Sequence, residues 1–164
     1  MLYFDHESGL PFHADVVWKY LTSPDTYTLW VEGLLAVEPQ APLACGTEIA
    51  LSVSAQGRTR KIRFDVTVLS PPTESAGHLA FEGRLGPEGL LLGTILVARA
   101  VSGSRVTVSL ELARGHTILS MFDRPFGFPL AGDEQTLQMK LERAALLFRN
   151  LLEVQTADPY RGRA

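Results

Sequence analysis

From Leu34 onward, apolar and polar residues alternate with a period of two, the repeat of strands with one dry and one wet face. Ile49, Leu51 and Val53 share one parity, as do Ile62, Phe64, Val66 and Val68, then Leu79 and Phe81, then Val106, Val108, Leu110 and Leu112. The opposite parity carries Glu48, Ser52, Lys61, Arg63, Asp65, Thr107, Ser109 and Glu111. The pattern predicts strands over 34–39, 47–55, 58–70, 77–85, 90–101 and 104–114. The joins contain Cys45-Gly46, Gln56-Gly57, Pro71-Pro72, Gly86-Pro87-Glu88-Gly89 and Ser102-Gly103-Ser104. None can hold a crossover helix, so neighbouring strands are expected to pair antiparallel.

The N-terminal third changes period. Leu2 to Phe12 is strand-like but interrupted by Gly9 and Pro11, which suits an edge or bent strand. Val16, Val17, Tyr20 and Leu21 then recur at helical spacing, and Pro24 opens a second short helix, PDTYTLW. Near the other end, Asp133 to Val154 runs without Gly or Pro, with Asp133 as the expected N-cap. Leu137, Leu141, Ala144, Ala145, Phe148, Leu151 and Leu152 form one stripe, while Glu142, Arg143, Asn150 and Glu153 point away. Its length of about 33 Å matches a long strand of about 36 Å, so this helix is the expected cover for the sheet's dry face. Residues 1–154 are read as one domain and 155–164, QTADPYRGRA, as a disordered tail.

This order of elements resembles the α+β helix-grip fold of the START/SRPBCC superfamily, which includes polyketide cyclase/dehydrase-like proteins. Its most specific part is VVWKYLTSPDTYTLW followed by VEPQAPLACGTEIAL, with Trp18, Pro24, Trp30, Gly46 and Thr47 carrying the likeness. The resemblance implies a curved antiparallel sheet of about seven strands wrapped around the long C-terminal helix, with two short helices after the first strand. It also implies a ligand held between the concave face and that helix, reached past the loop before it. That loop, His116 to Gly132, is rich in large apolar groups. Met121, Phe122 and Phe126 there either form a lid adaptable to apolar ligands or add a further turn of core.

Composition narrows the partners. The chain has 164 residues, 46% hydrophobic and 20% charged, a globular balance. A net charge of -3 gives no general attraction to nucleic acid or anionic lipid. No apolar run approaches the ~20 residues of a membrane span, and GLLLGTILVARA reads as a buried strand. A single cysteine, Cys45, excludes an internal disulfide and reads as a structural thiol; with no signal-like N-terminus, a cytoplasmic location is expected. The basic residues Arg58, Arg60, Lys61 and Arg63 alternate along one strand, so their charges are expected to split between its faces.

Chemistry is sparse. His6, His13, His78 and His116 show no metal-binding spacing, there is no nucleophile elbow, and GRLGPEGLLLG lacks phosphate-loop spacing. No cofactor and no metal are therefore expected. Candidate ligand contacts are Trp30, Phe64, Phe81, Leu110, Leu141 and Phe148, the lid residues Met121, Phe122 and Phe126, and Leu96. Thr94 shares parity with Leu92, Leu96 and Ala98, so it is read as an isolated hydroxyl on the apolar face. Trp18 is read as core. Met139 and Leu146 lie opposite the apolar stripe of the long helix and mark a candidate homodimer contact.

Three functions fit. The leading one is binding or transport of a small hydrophobic molecule, such as a lipid, isoprenoid or polyketide-like compound, without turnover. The alternative is a metal-free cyclase, aromatase or dehydratase using Arg114 or His116 for proton transfer. The third is a protein-interaction module with a filled pocket.

Overall fold

The period-two segments form strands where the sequence places them. The computed structural model describes residues 2–55, 57–84, 90–113 and 134–157. In it β1 is Leu2–Leu10, β2 Leu34–Glu38, β3 Glu48–Ala55, β4 Arg58–Ser70, β5 Gly77–Arg84, β6 Leu90–Ala100 and β7 Gly103–Ala113. Helix α1 is Ala14–Leu21, a 3-10 turn at Pro24–Thr26 leads into α2, Tyr27–Trp30, and α3 is Glu134–Ala157.

All seven strands join one antiparallel sheet in the order β1-β7-β6-β5-β4-β3-β2. The first two strands are thus its two edges. The chain between them must cross the whole sheet, and α1, the 3-10 turn and α2 make that crossing on the concave side. Two register shifts bend the sheet, between Leu34 and Ala36 on β2 and between Val66 and Val68 on β4. An extra residue in one strand bends it and increases its twist, so these bulges contribute to curling the sheet.

Register also fixes which side chains face inward. One row runs Phe4, Leu110, Gly93, Phe81 and Val66, and a second runs His6, Val108, Ile95, Leu79 and Leu69. Two expectations change accordingly. The bulge at Thr67 turns Val68 outward, opposite Ala80, and brings Leu69 to the concave side instead. Thr94 pairs with Ala80 and Ser109, and Leu96 with His78 and Thr107, so both lie on the outer face. Strand β6 is apolar at both parities, and only its neighbours reveal which side is dry.

The concave side holds two clusters. In the first, Phe148 and Leu152 of α3 pack on Leu10, Ala14, Val17, Leu21, Val97 and Val106. The second consists of Leu34, Val37, Ile49, Phe64, Val66 and Leu79, with no described residue of α3 in it. The long helix therefore serves the β1–β7–β6 side, and α2 with Leu43 of the β2–β3 connection roofs the rest.

Along α3, Leu141, Ala144, Ala145 and Leu151 are half-buried and Glu142, Arg143, Asn150 and Glu153 exposed, as the stripe requires. Met139 and Leu146 are both exposed. The helix continues three residues past Val154, to Ala157, so the tail's first residues are helical; the Thr156 hydroxyl donates to the Leu152 carbonyl at 2.8 Å. Asp133 and residues 158–164 lie outside the described residues.

Arg58 and Arg60 share one face of β4 and Lys61 and Arg63 the other, so the charges split between faces as expected, and all four are exposed because this end of the β3–β4 hairpin is wet on both sides. Cys45 is exposed, at the turn where Gly46 adopts φ 83°, with its thiol 3.5 Å from the Thr67 carbonyl. Among the described residues no helix is long and apolar enough to cross a membrane.

Leu152 is fully buried where α3 meets the sheet. Leu152→Ala is expected to cost about 2–5 kcal/mol in urea unfolding, the range for truncating a core leucine. The exposed Leu146→Ala is expected to change stability by about 0.5 kcal/mol or less.

Candidate functional site

Helix α2 is a single turn, so its side chains are placed by what flanks it. Pro24 occupies the first position of the 3-10 turn, where its missing N–H costs nothing. Tyr27 and Trp30, three residues apart, come to the same side of the turn. The Tyr27 hydroxyl donates to the Leu21 carbonyl, tying α2 to the end of α1. The Trp30 ring is held edge-on by two aromatic neighbours, Tyr27 at 5.4 Å and Phe148 of α3 at 5.0 Å between centroids.

Beneath this clamp lies a cavity of about 170 Å³. Leu21, Tyr27, Trp30, Val31 and Leu43 form its roof, and Ile49, Leu51, Phe64, Val66, Leu79, Phe81 and Ile95 form the sheet wall. Two glycines shape that wall. Phe64 pairs directly with Gly83, and Phe81 with Gly93. A Cβ on Gly83 would meet the Phe64 ring at 2.2 Å, and one on Gly93 would meet the Phe81 ring at 2.1 Å. Each ring therefore rests against bare backbone of the next strand, and the two rings meet edge-to-face at 5.7 Å. Side chains at either glycine would press these rings toward the cavity.

Among the described residues the cavity surface is almost wholly apolar; the Tyr27 hydroxyl is committed to the Leu21 carbonyl, and the Trp30 indole nitrogen is buried. Burial pushes the Tyr27 phenol above its ordinary value of 10.0, and the nearby Asp25 carboxylate adds to the effect. Tyr27 is therefore a neutral donor at ordinary pH.

The expected ligand contacts divide. Trp30, Phe64 and Phe81 line the cavity. Leu110 faces the concave side but is not part of the lining. Phe148 is core behind Trp30, and Leu141 is half-buried on α3; neither lines the cavity, because α3 covers the other half of the sheet. Thr94 and Leu96 are on the wrong face. Met121, Phe122, Phe126, Arg114 and His116 lie outside the described residues.

Ile49, Leu51, Val66 and Leu79 were read as dry-face residues but not as ligand contacts, and Leu21, Tyr27, Val31, Leu43 and Ile95 were missed. The three-residue spacing of Tyr27 from Trp30 could have found Tyr27, whereas Ile95 is hidden by the mixed parity of β6. His6 and Ser8 were missed as well: both lie on the concave face of β1, joined at 2.9 Å, away from the cavity lining. A second cleft, about 350 Å³ and open, lies between Leu10, Ser104, Arg105 and Arg149. Its arginines are already paired with Glu7 and Glu153, and its walls mix polar and apolar groups, so the apolar cavity is the better ligand site.

Gly93→Ala is expected to drive Phe81 into the cavity. Stability should fall by about 1–3 kcal/mol, and affinity for a ring-sized apolar probe such as toluene should fall about tenfold, measured by titration under conditions where the variant is folded. Tyr27 predicts an alkaline effect. The neutral phenol is favoured in the fold, so its contribution is complete below about pH 10, where the unfolded chain ionises, and is lost as pH rises beyond that. Unfolding midpoints of Tyr27→Phe should therefore fall less steeply above pH 10 than those of the native chain.

Solved structures share this architecture. The chain is similar to Ara h 8.0201, with 13% identity and a TM-score of 0.67 over 93% of this chain and 98% of that one. It is similar to protein NE0264 from Nitrosomonas europaea, with 14% identity and a TM-score of 0.71 over 96% and 97%. Protein MLL2253 from Mesorhizobium loti gives 13% identity and a TM-score of 0.68 over 93% and 98%. No protein-family model matches the sequence, and no curated protein matches it. At these identities the likeness is one of architecture: the chain has an α+β helix-grip fold, a curved seven-stranded antiparallel sheet with a long C-terminal helix.

Proposed function

We propose that the chain binds a small hydrophobic molecule in the cavity under Trp30, as a carrier or binding protein. The observation that carries this is the cavity itself, about 170 Å³ of apolar space beneath α2. Its walls are apolar side chains, and a ligand that covers them removes that surface from water. An open space also weighs against a protein-interaction module whose pocket is packed with side chains.

Size restricts the guest. An engineered apolar cavity of ~150 Å³ stays dry and takes benzene, so this space suits one ring or a short branched chain. Of the expected ligand classes, an isoprenoid-sized molecule fits within the described lining, and a long lipid chain would extend beyond it. A cyclase, aromatase or dehydratase activity would rest on Arg114 or His116, and product formation from a bound polyketide chain would distinguish it.

Native mass spectrometry of the purified chain, followed by organic extraction, is expected to reveal a bound apolar molecule or, failing that, uptake of toluene with a rise in Tm. Ile95→Phe, which adds bulk at the cavity wall, should abolish toluene uptake. A chain that is empty as purified and takes up no apolar probe would contradict the proposal.

A further inference from the structure

The open cleft at the end of β1 shares no lining residue with the cavity under Trp30, and its chemistry is different. Backbone sets its shape. β1 stops at Leu10, because Pro11 has no N–H to continue the ladder. The β6–β7 turn closes against that end through Gly103 at φ 144°, where a Cβ would stand 2.0 Å from the Leu10 carbonyl oxygen. Gly9 pairs with Arg105, and a Cβ on Gly9 would meet nothing within 4 Å, so the space beside Arg105 stays open. Leu10, Pro11 and Ala100 supply apolar wall, Ser102 an exposed hydroxyl, and Arg105 of β7 and Arg149 of α3 two cations. No carboxylate belongs to the described lining.

Each arginine meets its carboxylate through Nε, Arg105 with Glu7 at 3.0 Å and Arg149 with Glu153 at 3.3 Å. Both pairs join side chains open to water, where such pairs are worth little. No Nη atom of either guanidinium donates to a described residue. The Nη groups form the fork that takes an oxyanion through two parallel hydrogen bonds, and two such forks border one cleft. We infer that the cleft binds a small organic oxyanion, a phosphate monoester or a carboxylate on an apolar body, with Arg105 and Arg149 holding the charged group and Leu10, Pro11 and Ala100 the body. Its volume of about 350 Å³ is within the range of small-molecule sites. A chain of net charge -3 has no general attraction for anions, so binding depends on these two side chains.

The test titrates phenyl phosphate, benzoate and inorganic phosphate at low salt into nitrogen-15-labelled chain. Phenyl phosphate should shift the backbone amide signals of Ser102, Ser104 and Arg105, none of which lines the apolar cavity. It should bind about fivefold or more tighter than inorganic phosphate, because its ring covers the apolar wall. Whichever of phenyl phosphate and benzoate binds tighter tells a phosphate ligand from a carboxylate. Arg105→Gln and Arg149→Gln should each weaken phenyl phosphate about tenfold, the usual worth of one hydrogen bond to a charged group. Arg63→Gln removes the same charge from an arginine paired with Glu48, outside the cleft, and should leave the affinity unchanged. All three side chains are exposed, so the fold is retained. Equal weakening by all three substitutions would show diffuse attraction and overturn the inference. So would unmoved amide signals at Ser102, Ser104 and Arg105, or an affinity that neither Arg105→Gln nor Arg149→Gln changes.

Discussion

The width of one helix is the constraint on which the rest of this structure depends. Seven strands spaced about 4.8 Å apart make a sheet some 29 Å across, whereas a helix with its side chains is about 10–12 Å wide. Curling the sheet reduces the mismatch, and the bulges on β2 and β4 contribute to that. It does not remove it. The long helix settles over β1, β7 and β6, where Phe148 and Leu152 complete a tight core. The β2–β5 half is left to a single turn of helix and the connection that carries Leu43. Apolar surface there is roofed without being filled, and the shortfall is the cavity.

Two devices keep that space open and shaped. On the wall, Gly83 and Gly93 let the rings of Phe64 and Phe81 lie back against neighbouring backbone instead of projecting inward. On the roof, Trp30 is fixed between Tyr27 on its own turn and Phe148 on the long helix. The second device joins the two halves of the molecule, because the residue that anchors the tight core also sets the position of the cavity's largest ring. Movement of the long helix would be felt at the cavity through Phe148. This chain of contacts turns a packing deficit into a site with defined walls.

Much of the fold was legible. Strand bounds fall within one or two residues of the predicted segments, since most of them are wet on one side and turn-forming residues separate them. The two short helices were readable from the spacing of Val17, Tyr20 and Leu21 and from Pro24. The site was legible only in part. Phe64 and Phe81 were found because each sits on a strand with a clear dry face, and Trp30 because it is a large aromatic beside the two short helices. Thr94 and Leu96 were misplaced because β6 carries leucine, isoleucine or valine at both parities, and Val68 because a bulge leaves no mark on the period. Phe148 and Leu141 were assigned to the ligand because periodicity shows which face of a helix is apolar and not which strands it covers. That depends on pairing order, which makes β1 and β2 opposite edges.

The central claim is that the space under Trp30 is a dry chamber open to an apolar guest, and xenon tests it most directly. A crystal pressurised with xenon should show the atom bound against Phe81, Ile95 and Trp30, as in other dry apolar cavities. Ordered water in that position, or a chamber closed by the side chains around it with no xenon bound, would contradict the account.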